Sequence, residues 1–143
     1  MNIIKYLIAF IGVISIFLAG CSNLIENEEQ FIQLEKRNDK NKYDDYKIIT
    51  TKEEVQKVKE ILTDINWKKA IVNMAHPADY RFVVQFKKPE IEAKTVLYEL
   101  WISPNKENIE LVIEVANEYV QLNKNNSAEL FEILVGEKLS DQK

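Results

Sequence analysis

Tyr80-Arg-Phe-Val-Val-Gln-Phe86 is the stretch on which the fold turns. Its bulky residues Tyr80, Phe82, Val84 and Phe86 alternate with Arg81, Val83 and Gln85, the period of two that a half-buried strand requires. Thr95 to Ser103 follows as a second strand, apolar on both faces apart from Glu99. Ser103-Pro-Asn-Lys106 then makes a type I turn with Pro in its second position. Ile109 to Val115 and Glu118 to Leu122 complete an antiparallel meander.

Upstream, Phe31 to Lys36 and Tyr46 to Thr50 are short β-prone runs around the charged stretch 37–45, which predicts a hairpin. Thr51-Lys-Glu-Glu54 is a capping box, in which hydroxyl and carboxylate satisfy the free amides of a helix start. Val55, Val58, Leu62 and Ile65 then lay one apolar stripe on a helix ending near Asp64 or Ile65. Trp67 to Asp79 mixes apolar residues with His76-Pro77, so an extended segment and a turn are expected there. Downstream, Asn126-Ser-Ala-Glu129 offers a second box. Leu130, Phe131, Leu134 and Val135 follow at helical spacing, and Gly136 is the expected C-terminal cap. The elements add up to an α+β domain over residues 29–139, an antiparallel sheet with two helices packed on one face, and residues 140–143 form a tail.

Strand parity makes a further statement. If Val96, Tyr98, Leu100 and Ile102 face the helices, then Leu97, Glu99 and Trp101 lie on the opposite face beside Val83 and Val112. Trp101, Leu97, Val83 and Val112 then form an interaction surface, or the hairpin or a loop covers them and Trp101 is ordinary core.

The first 20 residues decide location. Lys5 precedes an apolar run from Tyr6 to Ala19, the order of an export signal. At about 14 residues the run is shorter than the roughly 20 that span a bilayer. It ends in Leu18-Ala19-Gly20-Cys21, which matches a lipobox at all four positions. Small residues fit the cleavage site and the Cys21 thiol accepts a diacylglycerol. The expectation is a lipoprotein signal peptide at 1–20 and a lipidated cysteine with a short tether at 21–28. The domain is then held on the extracytoplasmic face of the cell membrane, since at least two acyl chains give stable anchoring. Cys21 is the only cysteine, so lipidation leaves no thiol for a disulfide, a metal or catalysis.

Composition narrows the function. Of the 143 residues, 46% are hydrophobic and 29% charged, with only 3 Gly and 3 Pro, as expected of one globular domain. The net charge of −4 becomes −5 once Lys5 is removed, and only Arg37 and Arg81 offer a guanidinium, so neither nucleic acid nor phosphate reading is favoured. With Gly136 the one glycine left after processing, no glycine-rich phosphate cradle exists.

The lipobox, Thr51-Lys-Glu-Glu54, Val72-Asn-Met-Ala-His-Pro-Ala-Asp-Tyr80, Leu100-Trp-Ile-Ser-Pro104 and Gly136-Glu-Lys-Leu139 together resemble the YhfM-like lipoproteins of Bacillus and related Firmicutes. The resemblance covers most of the processed chain and implies a small membrane-anchored extracytoplasmic domain. It brings no functional residue with it.

Candidate chemistry is sparse. His76, the only histidine, stands three residues before Asp79 and could form an acid/base pair, but both flank a turn proline where Asp commonly bonds its own backbone. Ser22, Ser103, Ser127 and Ser140 lack the strand-turn-helix setting of a nucleophile. One histidine without a free cysteine does not make a zinc site, so neither metal nor cofactor is expected. Glu90 and Glu92 bracket Ile91 in a connection, where solvated carboxylates are the rule. The leading expectation is therefore a non-enzymatic interaction module of the cell envelope, its partner an envelope protein or the cell wall. The alternatives are a cell-surface enzyme acting through carboxylates, such as a glycan hydrolase, and a substrate-capturing transport lipoprotein.

Overall fold

The protein is described by a computed structural model over residues 28–91 and 94–143. The signal at 1–20, its Leu18-Ala19-Gly20 box, Cys21 and Glu92 lie outside the described residues.

The chain runs β1 (Gln30–Arg37), β2 (Tyr43–Ile49), α1 (Lys52–Asp64), β3 (Lys68–Lys69), β4 (Tyr80–Phe86), β5 (Leu97–Ile102), β6 (Ile109–Ile113), β7 (Glu118–Gln121) and α2 (Lys124–Val135). All seven strands join one sheet in the order β2-β1-β4-β5-β6-β7-β3. Every pairing is antiparallel. Both helices cover the same face. Val55, Val58, Ile61 and Leu62 of α1 and Leu130, Phe131, Leu134 and Val135 of α2 share one buried cluster with Ile32, Leu34, Tyr80, Phe82, Leu100 and Leu111 of the sheet. The expected α+β architecture is the observed one.

Alternation explains the packing. In β4, Tyr80 and Phe82 are buried against the helices, and Phe82 stacks on Tyr98 of β5 with ring centroids 4.9 Å apart. β1 lies between β2 and β4, far apart in sequence, and its Ile32 and Leu34 are fully buried.

The element ends depart from expectation for local reasons. Thr51 stands at the start of α1 with extended backbone, but its side chain makes no capping bond, so the box at 51–54 is not formed. Glu53 and Glu54 still place negative charge at the positive helix end. The true cap of α2 is Asn123, which accepts from the Asn126 amide at 2.9 Å; Asn126 is already inside the helix. Gly136 caps the other end at φ +83°, as its lack of a Cβ allows. β6 stops at Ile113 because Glu114–Ala116 tighten into a 3₁₀ turn closed by Asn117 in the left-handed region. β3 is unforeseen, since two lysines carry no alternation. It pairs with Glu118 and Tyr119 of β7.

Candidate functional site: the uncovered sheet face

The same parity that buries Ile32, Leu34, Tyr80, Phe82 and Leu100 turns Phe31, Gln33, Glu35, Arg81, Val83, Leu97, Glu99 and Trp101 to the face away from the helices. That face is divided into a roofed half and an open half.

Residues 70–79 make the roof. Ala78 is buried with Trp101 and Val112, and Val72, Met74, Tyr43 and Tyr119 pack around them. Polar bonds hold the roof in place at several points. Trp101 Nε1 donates to the His76 main-chain oxygen at 2.8 Å, and the Tyr43 hydroxyl and Arg37 Nε both donate to the Ala78 oxygen. Asp79 accepts from Arg37 Nη2 at 2.9 Å through one oxygen and from the Ile102 amide at 2.8 Å through the other. Of the four residues singled out from the sequence, Trp101 and Val112 are each only 7% exposed, so the covered alternative applies to them. The cover is the 70–79 loop, with the hairpin contributing Tyr43. Leu97 stays 38% exposed and Val83 half-buried on the open half.

The open half is ordered in rows across the strands. Ile48 pairs with Gln33, Gln33 with Val83, and Val83 with Leu97, giving a row that is apolar but for Gln33 and in which Ile48 is 62% exposed. The adjacent row is charged: Asp45, Glu35, Arg81 and Glu99. A shallow cavity of about 230 Å³ lies between them, lined by Gln33, Glu35, Arg81, Val83, Gln85 and Leu97. Arg81 organises the charged row. Its Nη2 meets Glu35 Oε2 at 2.9 Å, and its guanidinium carbon lies 3.6 Å from the centre of the Tyr43 ring. Its Nε is buried without a hydrogen-bond partner. Burial, reinforced by the charge of Glu114 and opposed by Arg81, pushes the Glu99 carboxyl above the usual carboxylate range. Further along, burial and the 2.6 Å bond donated to Glu110 push the Tyr119 phenol up to about 12.

The other sequence candidates have structural employment. His76 Nδ1 is 3.9 Å from Asp79 Oδ1 but 2.8 Å from the Pro77 oxygen, while both Asp79 oxygens are engaged elsewhere, so the two residues do not form an acid/base pair. Ser127 is fully buried and bonded to the Ile109 amide and the Leu122 oxygen. Ser103 closes the 103–108 turn through Asn105 and Asn108. Glu90 is exposed in the β4–β5 connection. Among the described residues no group of three His, Cys, Asp or Glu converges as a metal site, and no helix is long and apolar enough to cross a membrane. Sequence reasoning missed Phe31, Glu35, Tyr43 and Ile48. Parity along β1 assigns Phe31 and Glu35 to this face, but only the β2-β1-β4 order brings them beside Val83 and Arg81.

Fold and site together define a two-layer α+β domain with one sheet face half open. The chain belongs to the YhfM protein family, which it matches over residues 25–139. Among solved structures it is similar to a thioesterase-like protein from Clostridium sporogenes ATCC 15579, with 20% identity and a TM-score of 0.55; the match covers 78% of this chain and 98% of that one. At that identity the likeness is one of fold. No curated protein matches the chain.

Proposed function

We propose that the protein is a lipoprotein anchored by Cys21 to the extracytoplasmic face of the cell membrane, and that its domain is a non-enzymatic interaction module working through the open half of the sheet. The observation that carries the second part is the row Ile48, Val83 and Leu97, left uncovered among the described residues on a sheet whose other face and other half are closed. The complete lipobox supports the first part. Changing Cys21→Ala removes the lipid acceptor and should leave an unprocessed or released chain. Retention of that variant in the membrane at the wild-type processed mass would refute the anchor.

The second reading is a cell-surface enzyme acting through carboxylates. One observation favours it: Glu99, whose carboxyl is pushed by burial above the usual carboxylate range, lies in one cross-strand row with Glu35, with Arg81 between them, and a carboxyl of raised proton affinity is the kind of group that serves as a general acid. The deciding assay offers the purified protein peptidoglycan, peptides and acyl thioesters, the last because of how the structural neighbour is described. The module reading expects no turnover. Turnover abolished by Glu99→Gln, His76→Ala or Glu92→Gln would establish the enzyme instead.

A further inference from the structure

The apolar row is the strongest unexplained surface, and its place in the fold suggests its partner. Phe31 is the second residue of β1, β2 ends beside it with Ile49 opposite Ile32, and β4 ends with Phe86 opposite Gln30. Phe31, Ile48, Val83 and Leu97 thus gather on the open face at the end of the sheet where residue 28 enters. Phe31 and Val83 are half-buried yet belong to neither buried cluster.

We propose that this face rests on the bilayer to which the chain is anchored, with the side chains of Phe31, Ile48, Val83 and Leu97 entering the headgroup region. The proposal rests on the lipoprotein reading and names the partner of the open face. Glu28 is seven residue steps from a lipidated Cys21, and no chain spans more than about 3.6 Å per residue, so this end of the sheet stays within about 25 Å of the acyl chains. Confinement at that range gives even a small apolar patch a high effective concentration of lipid. Polarity is also graded in the right direction. Phe31 and the Ile48-Val83-Leu97 row, with the uncharged Gln33 and Gln85 among them, lie at the entry end, and the charged Asp45-Glu35-Arg81-Glu99 row lies one step further in, as in segments that bury an apolar face in a membrane interface.

The surroundings suit shallow insertion rather than attraction by charge. Lys52 follows β2, Lys87 and Lys88 follow β4, and Lys94 precedes β5, so four long amphipathic side chains ring this end and can keep their ammonium groups at headgroup level. Lys87 and Lys88 are paired with Glu29 and Glu28 at 2.8 and 2.9 Å, which leaves little net positive charge. Contact should therefore be insensitive to salt.

The test uses the full acylated chain, its mass verified, reconstituted in phosphatidylcholine vesicles containing a nitroxide-labelled lipid. Acylation blocks Cys21, so Ile48→Cys, Leu97→Cys and, in the 38–42 turn at the opposite end, Lys40→Cys each introduce one free thiol for a fluorophore; Ile48 and Lys40 are exposed, so their exchange leaves the core intact. The expected result is quenching several-fold stronger at positions 48 and 97 than at 40, unchanged by added salt. Equal quenching at all three positions would overturn the proposal. So would shielding of position 48 that disappears as the protein is diluted over more vesicles, since its neighbour is then a second copy. A processed chain without the acyl mass overturns the anchor and this inference together, whereas an acylated chain with position 48 unquenched overturns this inference alone.

Discussion

The indole of Trp101 is hydrogen-bonded to the main chain of His76, 25 residues away, through a 2.8 Å contact beneath the 70–79 loop. The bond joins a central strand to a segment without regular structure, and Trp101, at 7% exposure, is the largest side chain under that segment. Trp101→Ala should cost about 3–5 kcal/mol, read as a lowered denaturant midpoint, because it leaves a cavity and an unpaired carbonyl together. Trp101→Phe keeps most of the volume and should cost clearly less. An unchanged midpoint for the alanine variant would mean that the loop is not a packed roof.

Asp79 fastens the other end of the roof. Its two oxygens hold the Ile102 amide and Arg37, and its own amide donates to Leu100. Asp79→Ala should cost about 1–3 kcal/mol through the orphaned Ile102 amide and the lost bond to Arg37 Nη2, and should speed hydrogen exchange at Ile102. Asp79→Asn keeps an acceptor for the amide and should exchange more slowly than the alanine variant. His76→Ala leaves these bonds in place and should not alter exchange at Ile102.

Ser127 ties α2 to the sheet. Its hydroxyl accepts from Ile109 and donates to Leu122, two residues that also bond each other through the Leu122 amide. Ser127→Ala leaves the Ile109 amide buried and unmet, while the Leu122 oxygen keeps the Asn108 side-chain donor, for an expected loss of about 1–3 kcal/mol in thermal or chemical unfolding. A stability equal to wild type would show that water replaces the hydroxyl there.

Glu99 should shape the pH dependence of stability. Its folded carboxyl holds a proton at pH values where the unfolded carboxyl has lost it, so its stabilisation is fully present below the ordinary carboxylate range and is lost as pH rises through the folded value. Glu99→Gln should raise the neutral-pH midpoint and flatten this part of the profile. The gain should vanish in acid, which unfolding curves at a series of pH values would show.

Much of this fold is legible locally. The alternation of Tyr80 to Phe86 marks β4, parity in β5 separates Tyr98 and Leu100 from Leu97 and Trp101, and Val55, Val58 and Leu62 outline the buried stripe of α1. The roof is not legible: Val72 and Met74 do alternate with exposed neighbours, but apolar Ile71, 84% exposed, masks the period, and what Val72, Met74 and Ala78 cover is known only once the strands are assembled. Nor is the open patch. Gln33 lies 50 positions before Val83 and 64 before Leu97, and nothing in either segment announces that β1 enters the sheet next to β4. Asn123 and Asn126 are equally good caps by residue type, and the choice between them falls to the bond that Ser127 makes inside the helix.

The strands at the two rims of the sheet are unlike, and this bears on how copies of the chain tolerate crowding. One rim is β2, which shifts register against β1 at Leu34/Glu35 and exposes Asp44 and Asp45. The other is β3, only two residues long and made of Lys68 and Lys69. An unpaired rim invites strands of other molecules, and distortion, brevity and charge are the means of refusing them. Two β2 rims would oppose aspartates and two β3 rims would oppose lysines, so like rims repel. The unlike pair attracts but offers only two residues of ladder, too few to hold a filament together. Closely packed copies can therefore lie side by side without their sheets merging.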